Sequence, residues 1–324
     1  MKSNKWKFLL TGAATLTLLS ACTQASSQSA TKSNTAQTTA TSTSKNKTNN
    51  PNYFTDKDKD TSYDESKAST VKLSGSSASV SGDGVAVSGS TVTISKAGTY
   101  VISGESDGVQ IKVEAGDSDD VHIVLKGVTM TNTNAPISAT KAGHVYLTLA
   151  DGTTNTLSDS SSNNDEDADA VIFSKGDLTI NGSGTLNIDA KKNNGIKAND
   201  TLHITGGTYK ITAVGDAFNV NDELNITGTT MTIDADEDAV KVDNDEDTSV
   251  GTMYLSDNKM TITAGDDGIH ASGDLIIDSG TYSLSKVSKE NRSPSTVVIS
   301  PSTQLMMVSM QPMLMLTKMK FSSP

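Results

Sequence analysis

Residues 169–286 consist of short stretches in which apolar and polar residues alternate, with Gly, Asn and Asp at the joins. Within one repeat these stretches are residues 194–196, 202–204 and 208–211, and the same phrase recurs along the segment. An alternation of period two is typical of β-strands that bury one face, and the repeat has no stretch with helical periodicity. The segment is therefore predicted to be all-β.

The length of the repeat predicts how these strands are arranged. The steps from Ile196 to Phe218 and from Phe218 to Val240 are both 22 residues, and the next step is longer because it contains an acidic insert, Asn244–Val250. Three short strands per period predict a parallel β-helix, a solenoid whose coils stack about 4.8 Å apart. Two inward ladders are expected, namely Val171, Ile196, Phe218, Val240 and Ile269, and Leu186, Tyr209, Met231, Met260 and Tyr282.

The start of the chain has the features of an export signal. Residues 1–21 contain three lysines followed by an apolar stretch that is too short to span a bilayer. The phrase Leu19-Ser20-Ala21-Cys22 resembles the bacterial lipoprotein signal, which implies that Cys22 is lipidated and holds the protein at the extracellular face of a bacterial membrane, in the cell wall zone. The alternative is an ordinary secretory signal followed by a chance cysteine.

Composition divides the rest of the chain into three parts. Residues 22–68 are rich in Ser, Thr, Asn, Gln and Lys, and are predicted to be a disordered tether. Residues 69–286 are predicted to form the β-helix. Residues 287–324 lose the pattern and contain many methionines; because the codons of Met306–Val308 encode Asp-Gly in another frame, we interpret this tail as the product of a frameshift. The alternative is a divergent Met-rich tail.

Charge and motif content exclude several classes of function. The chain has 38 acidic and 26 basic residues, so its net charge of −12 argues against nucleic acid and anionic lipid as partners. A single cysteine excludes an intramolecular disulfide. No serine or cysteine nucleophile motif and no phosphate-binding Gly loop is evident, and the histidines share no ligand spacing. We expect a monomer.

The turn that opens each coil carries acidic or amide residues that stack from coil to coil. Stacked carboxylates repel one another, and carboxylate oxygens are the ligands that calcium prefers. Calcium that cross-links the coils is therefore predicted. The alternative is that Asp and Asn cap turns and keep the edge soluble. The column is Asp169, Asn194, Asp216, Asp238 and Asp267, and the candidate metal ligands are Asp165, Asp167, Asp169, Asp216, Asp236, Asp238, Asp243, Asp245, Asp266 and Asp267.

A second column lies three positions further along each coil and is expected to face outward. Its members are Ile172, Lys197, Asn219, Lys241 and His270, and the last four are candidate ligand-binding residues. A base beside bound calcium could remove the proton from the carbon next to a uronate carboxylate, which is the chemistry of a polysaccharide lyase. Lys241 or Lys197 would then be the catalytic base. The alternative is that these side chains form salt bridges with the acidic column.

Several phrases resemble a known family. They are Thr93–Gly104, Leu147–Leu157, Asp167–Lys175 and Ile204–Thr208, together with the Asp-Gly-Ile and Asp-Ala-Val corners. The chain resembles the bacterial carbohydrate-binding β-helix proteins over residues 71–286. This resemblance implies a right-handed parallel β-helix with bound calcium, similar in shape to pectate lyases, and sugar ligands such as cellulose and acidic polysaccharides. No motif of the family fixes the binding residues.

Together these observations predict a calcium-stabilised β-helix lipoprotein that binds acidic polysaccharide without catalysis. Without the signal peptide the chain contains no Trp, so sugar contacts would rely on polar groups and on calcium bridging to carboxylates. One alternative is a calcium-dependent lyase of the pectate type. Another is a structural surface spacer or adhesin.

Overall fold

A computed structural model describes residues 53–247 and 249–286, together with the strand backbones of residues 295–299 and 305–308. The predicted signal peptide, the predicted lipidation site Cys22 and most of the tail lie outside the described residues. No helix in the described ranges is long and apolar enough to cross a bilayer. In chain order the elements are α1 (Asp56–Lys59), β1 (Ser69–Gly75), β2 (Ser77–Ser81), β3 (Val85–Ser88), β4 (Thr91–Ile94), β5 (Gly98–Asp107), β6 (Gln110–Glu114), β7 (Asp120–Thr131), β8 (Ile137–Lys141), β9 (His144–Leu149), β10 (Thr154–Ser158), β11 (Ala170–Ser174), β12 (Leu178–Gly182), β13 (Thr185–Ala190), β14 (Asn194–Ala198), β15 (Thr201–Thr205), β16 (Thr208–Ala213), β17 (Phe218–Val220), β18 (Glu223–Thr227), β19 (Thr230–Ala235), β20 (Val240–Val242), β21 (Thr252–Ser256), β22 (Asn258–Ala264), β23 (His270–Ala271), β24 (Asp274–Ile277), β25 (Gly280–Lys286), β26 (Ser295–Ile299) and β27 (Leu305–Val308).

The strands of successive coils stack into three faces. Face A contains β3, β4, β6, β8, β11, β14, β17, β20 and β23. Face B contains β9, β12, β15, β18, β21 and β24, and face C contains β10, β13, β16, β19, β22 and β25. The long strand β7 runs through both B and C. Because these coils pair in parallel, the predicted parallel β-helix is confirmed.

One continuous core runs through the stack. In β19 the side chains of Met231, Ile233 and Ala235 point inward and are buried, while the intervening residues are exposed. Tyr209 pairs with Met231 in the next coil, so equivalent residues form a buried ladder. The predicted ladder from Leu186 to Tyr282 is confirmed in full register. No single coil could bury these side chains alone, and stacking provides the apolar environment.

The other predicted ladder is shifted by one residue in its first coil. Ile172, not Val171, pairs with Ile196, and Phe173 pairs with Lys197. Ile172, predicted to face outward, is therefore 1% exposed and belongs to the main core. The sequence was ambiguous here because the whole of β11 is buried, so alternation could not distinguish its two sides.

Antiparallel strands flank the parallel coils at both ends. At the start, β1 pairs with β2 and β3 pairs with β4 in antiparallel fashion. At the other end, β26 pairs with β25 and β27 pairs with β24, also antiparallel. The parallel repeat thus stops at Lys286, immediately before the predicted tail. The frameshift itself stays a prediction.

Residues 53–66 differ most from the sequence prediction, which placed them in a disordered tether. They lie along the outside of face B and are called the strap below. At one end the ring of Tyr53 stacks on Tyr254, with centroids 3.7 Å apart. At the other end the Lys126 ammonium donates to both carboxylate oxygens of Glu65, at 2.9 and 2.8 Å. The strap therefore crosses several coils and belongs to the folded unit.

Candidate functional site

The acidic column is held together by backbone hydrogen bonds between coils. Asn194 Oδ1 accepts from the amide of Asp216 at 3.2 Å, and Asp216 Oδ1 accepts from the amide of Asp238 at 2.9 Å. Asp238 Oδ1 in turn accepts from the amide of Asp267 at 2.7 Å. Each side chain thus caps the turn of the next coil, the structural role that the sequence left open. Asp216 and Asp238 are themselves buried. Their carboxylate oxygens therefore supply the acceptors that buried backbone amides need.

The remaining carboxylate oxygens face the second column. Lys241 Nζ lies 3.9 Å from Asp216 Oδ2 and 3.7 Å from Asp238 Oδ2, between the two carboxylates. Asn219 donates to Asp216 Oδ2 at 2.6 Å. Partial burial lowers the pKa of Lys241, but the surrounding carboxylates, led by Asp216 and Asp238, outweigh it, so the pKa is raised overall. The amine is therefore held in its charged form.

The same pairing occurs at both ends of the column. Lys197 Nζ donates to Asp169 Oδ1 at 2.7 Å, and His270 Nδ1 lies 3.6 Å from Asp267 Oδ2. The sequence predicted that Asp169 and Asn194 occupy equivalent positions in neighbouring coils. In the structure Ala170, not Asp169, pairs with Asn194. Cross-coil pairing of Lys197, Asn219, Lys241 and His270 is confirmed, which makes them a single outward column.

The other predicted metal ligands lie in loops and do not converge. Asp165 Oδ1 accepts from the amides of Asp167 and Ala168, so it caps its own loop. In the described part of the chain, no group of three or more His, Cys, Asp or Glu side chains is placed to hold a metal ion. The exposed or partly exposed remainder comprises Asp167, Asp236, Asp243, Asp245 and Asp266.

Calcium fits the acidic column poorly. One oxygen of Asp216 and one of Asp238 are committed to backbone amides, and the Lys241 ammonium lies where a bridging cation would be needed. Calcium takes six to eight oxygen ligands, a number that these groups do not supply. We therefore do not assign calcium to this column. Calcium at another position of the protein stays a prediction, and no step of the proposed function depends on it.

A second polar cluster joins the strap to face B. Asp58 of α1 is 2% exposed, and its Oδ2 lies 3.2 Å from His203 Nδ1, a charge contact. Its Oδ1 accepts from the Thr179 hydroxyl at 2.7 Å. The other ring nitrogen, His203 Nε2, lies 3.2 Å from Glu223 Oε1. His203 is thus placed between two carboxylates, one from the strap and one from the coil.

The electrostatics of this cluster favour a charged pair. Burial lowers the pKa of His203, but Asp58 and Glu223 outweigh it and raise the pKa to about 9. Burial likewise raises the pKa of Asp58, yet hydrogen bonds and contacts from His203, Thr179 and Thr55 outweigh it and hold that pKa well below its usual range. At neutral pH the strap is therefore fixed by a mostly buried ion pair.

Strap docking should consequently depend on pH. The folded pKa of His203 lies above its ordinary value of 6.5, so its contribution is complete below pH 6.5 and is lost as the pH rises through about 9. The shift corresponds to at most about 3 kcal/mol. We expect an NMR titration of the His203 ring to show a midpoint near pH 9, while half-buried His122 serves as an internal control with a lowered pKa. A His203 midpoint at or below its ordinary value would contradict this account.

The sequence contained weak signals of the strap cluster. Thr55 and Asp58 have the spacing of a helix capping box, and both reciprocal bonds are present. Tyr53 and Phe54 are adjacent aromatic residues inside a polar segment, and buried Phe54 makes a T-shaped contact with His203, at 5.6 Å between ring centroids. The prediction of disorder was based on the average composition of residues 22–68, in which these few residues have little weight.

Comparison with known proteins agrees with this architecture. The sequence profile of a family described as carbohydrate-binding domain-containing protein matches residues 88–310. A carbohydrate-binding domain-containing protein from Acetivibrio thermocellus is 36% identical over 126 residues, which are 37% of this chain and 44% of that protein. The chain therefore aligns with less than half the length of this relative.

A solved structure is similar over a larger part of the chain. It is the gadolinium derivative of a polysaccharide lyase-like protein from C. thermocellum, with 32% sequence identity and a TM-score of 0.66. The match covers 68% of this chain and 91% of that one. The extent of the profile match and the shared fold lead to one conclusion: the chain belongs to the family of carbohydrate-binding domain-containing proteins.

Proposed function

We propose that the protein binds an acidic polysaccharide along the outside of its β-helix and does not cleave it. Family membership supports carbohydrate as the ligand class. The outward column of Lys197, Asn219, Lys241 and His270 supplies cationic and amide groups at successive coils. Lys197 and Lys241 lie two coils apart, about 10 Å. Repeated cationic groups along one line suit a chain that carries repeated carboxylates.

The two lysines that could act as a catalytic base are both engaged by carboxylates, and this contact argues against catalysis. A general base must be unprotonated to accept the proton from the sugar ring. Lys241 is held charged between Asp216 and Asp238, and Lys197 is paired with Asp169 at 2.7 Å. Neither ammonium is arranged as a base, whereas both can donate hydrogen bonds to a sugar carboxylate or hydroxyl.

The proposed location of the protein is the extracellular face of a bacterial membrane. The lysine-rich apolar start and Cys22 support export and lipid anchoring at the extracellular face of a bacterial membrane. The long polar segment before residue 53 would then separate the β-helix from the membrane, where polysaccharides of the cell wall zone are accessible.

A combined assay with polygalacturonate tests the proposal. The full-length protein is expected to co-sediment with an insoluble preparation of the polymer and to produce no rise in the absorbance of unsaturated uronate product. A rise that is abolished by Lys241→Ala or Lys197→Ala would establish the lyase alternative, which the lyase-like structural neighbour makes the second candidate. Absence of binding here and on a glycan array would instead favour a surface spacer or adhesin.

Whether calcium stabilises the acidic column can be tested independently by thermal unfolding. Because Lys241 provides the positive charge between Asp216 and Asp238, we expect a chelator to leave the thermal midpoint of the wild-type protein unchanged. Lys241→Met should lower the midpoint by leaving buried carboxylates without a cation. Lys210→Met, an exposed position on face C, is the matched control. A wild-type midpoint that rises on addition of calcium would support a metal site and contradict this expectation.

A further inference from the structure

A groove lies between the strap and the coils beneath it, separate from the acidic column. Its volume is about 250 Å³, and Leu149, Ala150 and Gly182 contribute apolar or small surface to its lining. Tyr63 of the strap forms part of the lining and packs on the apolar cluster that contains Ala150. Its ring is fixed further by an edge contact with His122, at 6.3 Å between centroids.

Polar groups from separate parts of the chain complete the lining. Lys126 is paired with Glu65, and Asp151 Oδ1 accepts from the Ser183 hydroxyl at 2.6 Å. Asp151 is exposed, so its carboxylate is accessible to a ligand in the groove. Lys126 is neutralised by its salt bridge with Glu65, whereas Asp151 forms no salt bridge within the described residues. An anionic ligand in the groove would therefore face an uncompensated carboxylate, which disfavours such a ligand.

These features define a ligand class. Small-molecule sites combine apolar and aromatic surface with a few convergent polar groups, and this groove is slightly below their usual volume of about 300–1,000 Å³. A single sugar ring presents apolar C–H surface on its faces and hydroxyls at its edge. The ring of Tyr63 and the carboxylate of Asp151 are complementary to those two kinds of surface.

We propose that this groove is a subsite for one neutral hexose unit of a carbohydrate chain. The inference rests on the proposed carbohydrate-binding function and adds to it a ligand unit distinct from the uronates assigned to the Lys197–Lys241 column. It also gives the strap a role in binding, because Thr61 and Tyr63 are part of the lining. The subsite is incomplete without the strap.

Calorimetric titration of the full-length protein with cellotetraose, a neutral probe, and with oligogalacturonate tests this subsite. Loss of a hydrogen bond to a charged group is expected to weaken cellotetraose binding about tenfold in Asp151→Asn. Tyr63→Ala should have a similar effect, while Tyr63→Phe should retain binding because it keeps the ring. Asp234→Asn, exposed on face C, is the matched control and should bind like the wild type.

The outcomes separate this inference from the proposed function. Asp151 is exposed and its replacement should not change the thermal midpoint, so Asp151→Asn remains informative even if Tyr63→Ala loosens the strap. Wild-type binding of oligogalacturonate but not of cellotetraose would overturn the subsite and leave the proposed function standing. Unchanged cellotetraose binding in both Asp151→Asn and Tyr63→Ala would also overturn it. Binding of neither probe would contradict the proposed function and the subsite with it.

Discussion

Replacing Asp58 with alanine is expected to release the strap from face B. The substitution leaves the mostly buried His203 without its strap partner and removes the acceptor of the Thr179 hydroxyl. Removing one member of a buried ion pair usually costs about 3–5 kcal/mol, and because Glu223 still contacts the His203 ring we expect a cost at the lower end of that range. Amide hydrogen exchange should show loss of protection in residues 53–66, while strands of the coil core stay protected.

Asp60→Ala is the matched control for this effect. Asp60 is also in the strap, but its carboxylate is exposed and accepts only from the neighbouring Ser62 among the described contacts. We expect its removal to change strap protection little, since exposed local bonds contribute a fraction of a kcal/mol to about 1 kcal/mol. Equal loss of protection in both variants, or none in Asp58→Ala, would contradict the role assigned to the Asp58–His203 pair.

Replacing Phe218 with alanine is expected to destabilise the middle of the solenoid. Phe218 is fully buried, and its strand pairs with β14 on one side and β20 on the other. Truncation of a buried Phe costs about 3–5 kcal/mol through lost transfer free energy and the cavity that is left. Because each coil contacts only its neighbours, the damage should be greatest in the adjacent coils. Chemical denaturation measures the loss of stability, and hydrogen exchange locates it.

Val214→Ala provides the comparison within the same coil. Val214 is 48% exposed, so its truncation removes little buried surface and should change the free energy of unfolding by about 0.5 kcal/mol or less. A cost for Phe218→Ala close to that of Val214→Ala would show that the face A ladder does not carry the stability of the stack.

The repeat period was sufficient to predict the fold because the spacing directly determines which residues meet. The 22-residue step between Ile196 and Phe218 appears in the structure as a cross-coil pair. The error at Val171–Phe173 arose where three apolar residues follow one another and the loop before them covers the outer side. Phe173 is buried outside the main core with Ala135 and Ala168, an environment that alternation alone does not indicate.

The strap and the groove were not predictable in the same way. Both bring together residues far apart in sequence, such as Asp58 with His203 and Tyr63 with Asp151. Their positions depend on where a polar segment docks, which no periodic signal encodes. A few buried aromatic and charged residues fix the strap, while its average composition is that of a disordered chain.

The role of the acidic column could not be predicted from the sequence for a different reason. Asp at a turn can bind a metal or cap a backbone amide, and the residue type is the same in both cases. Only the structure shows that Asp216 and Asp238 direct one oxygen each to the next coil and the other toward Lys241. The sequence correctly identified the stack from Asn194 to Asp267, misplaced Asp169 in it, and could not decide which partners the carboxylates have.

Binding of acidic polysaccharide without cleavage can be measured in one calorimetric titration of the full-length protein with soluble polygalacturonate. We expect saturable heat in which every injection returns to the baseline, and weaker binding in Lys197→Ala and Lys241→Ala. Heat that persists after each injection would reveal turnover, and an absence of binding heat at any polymer concentration would show that this surface does not recognise the acidic chain. Either result would contradict the account.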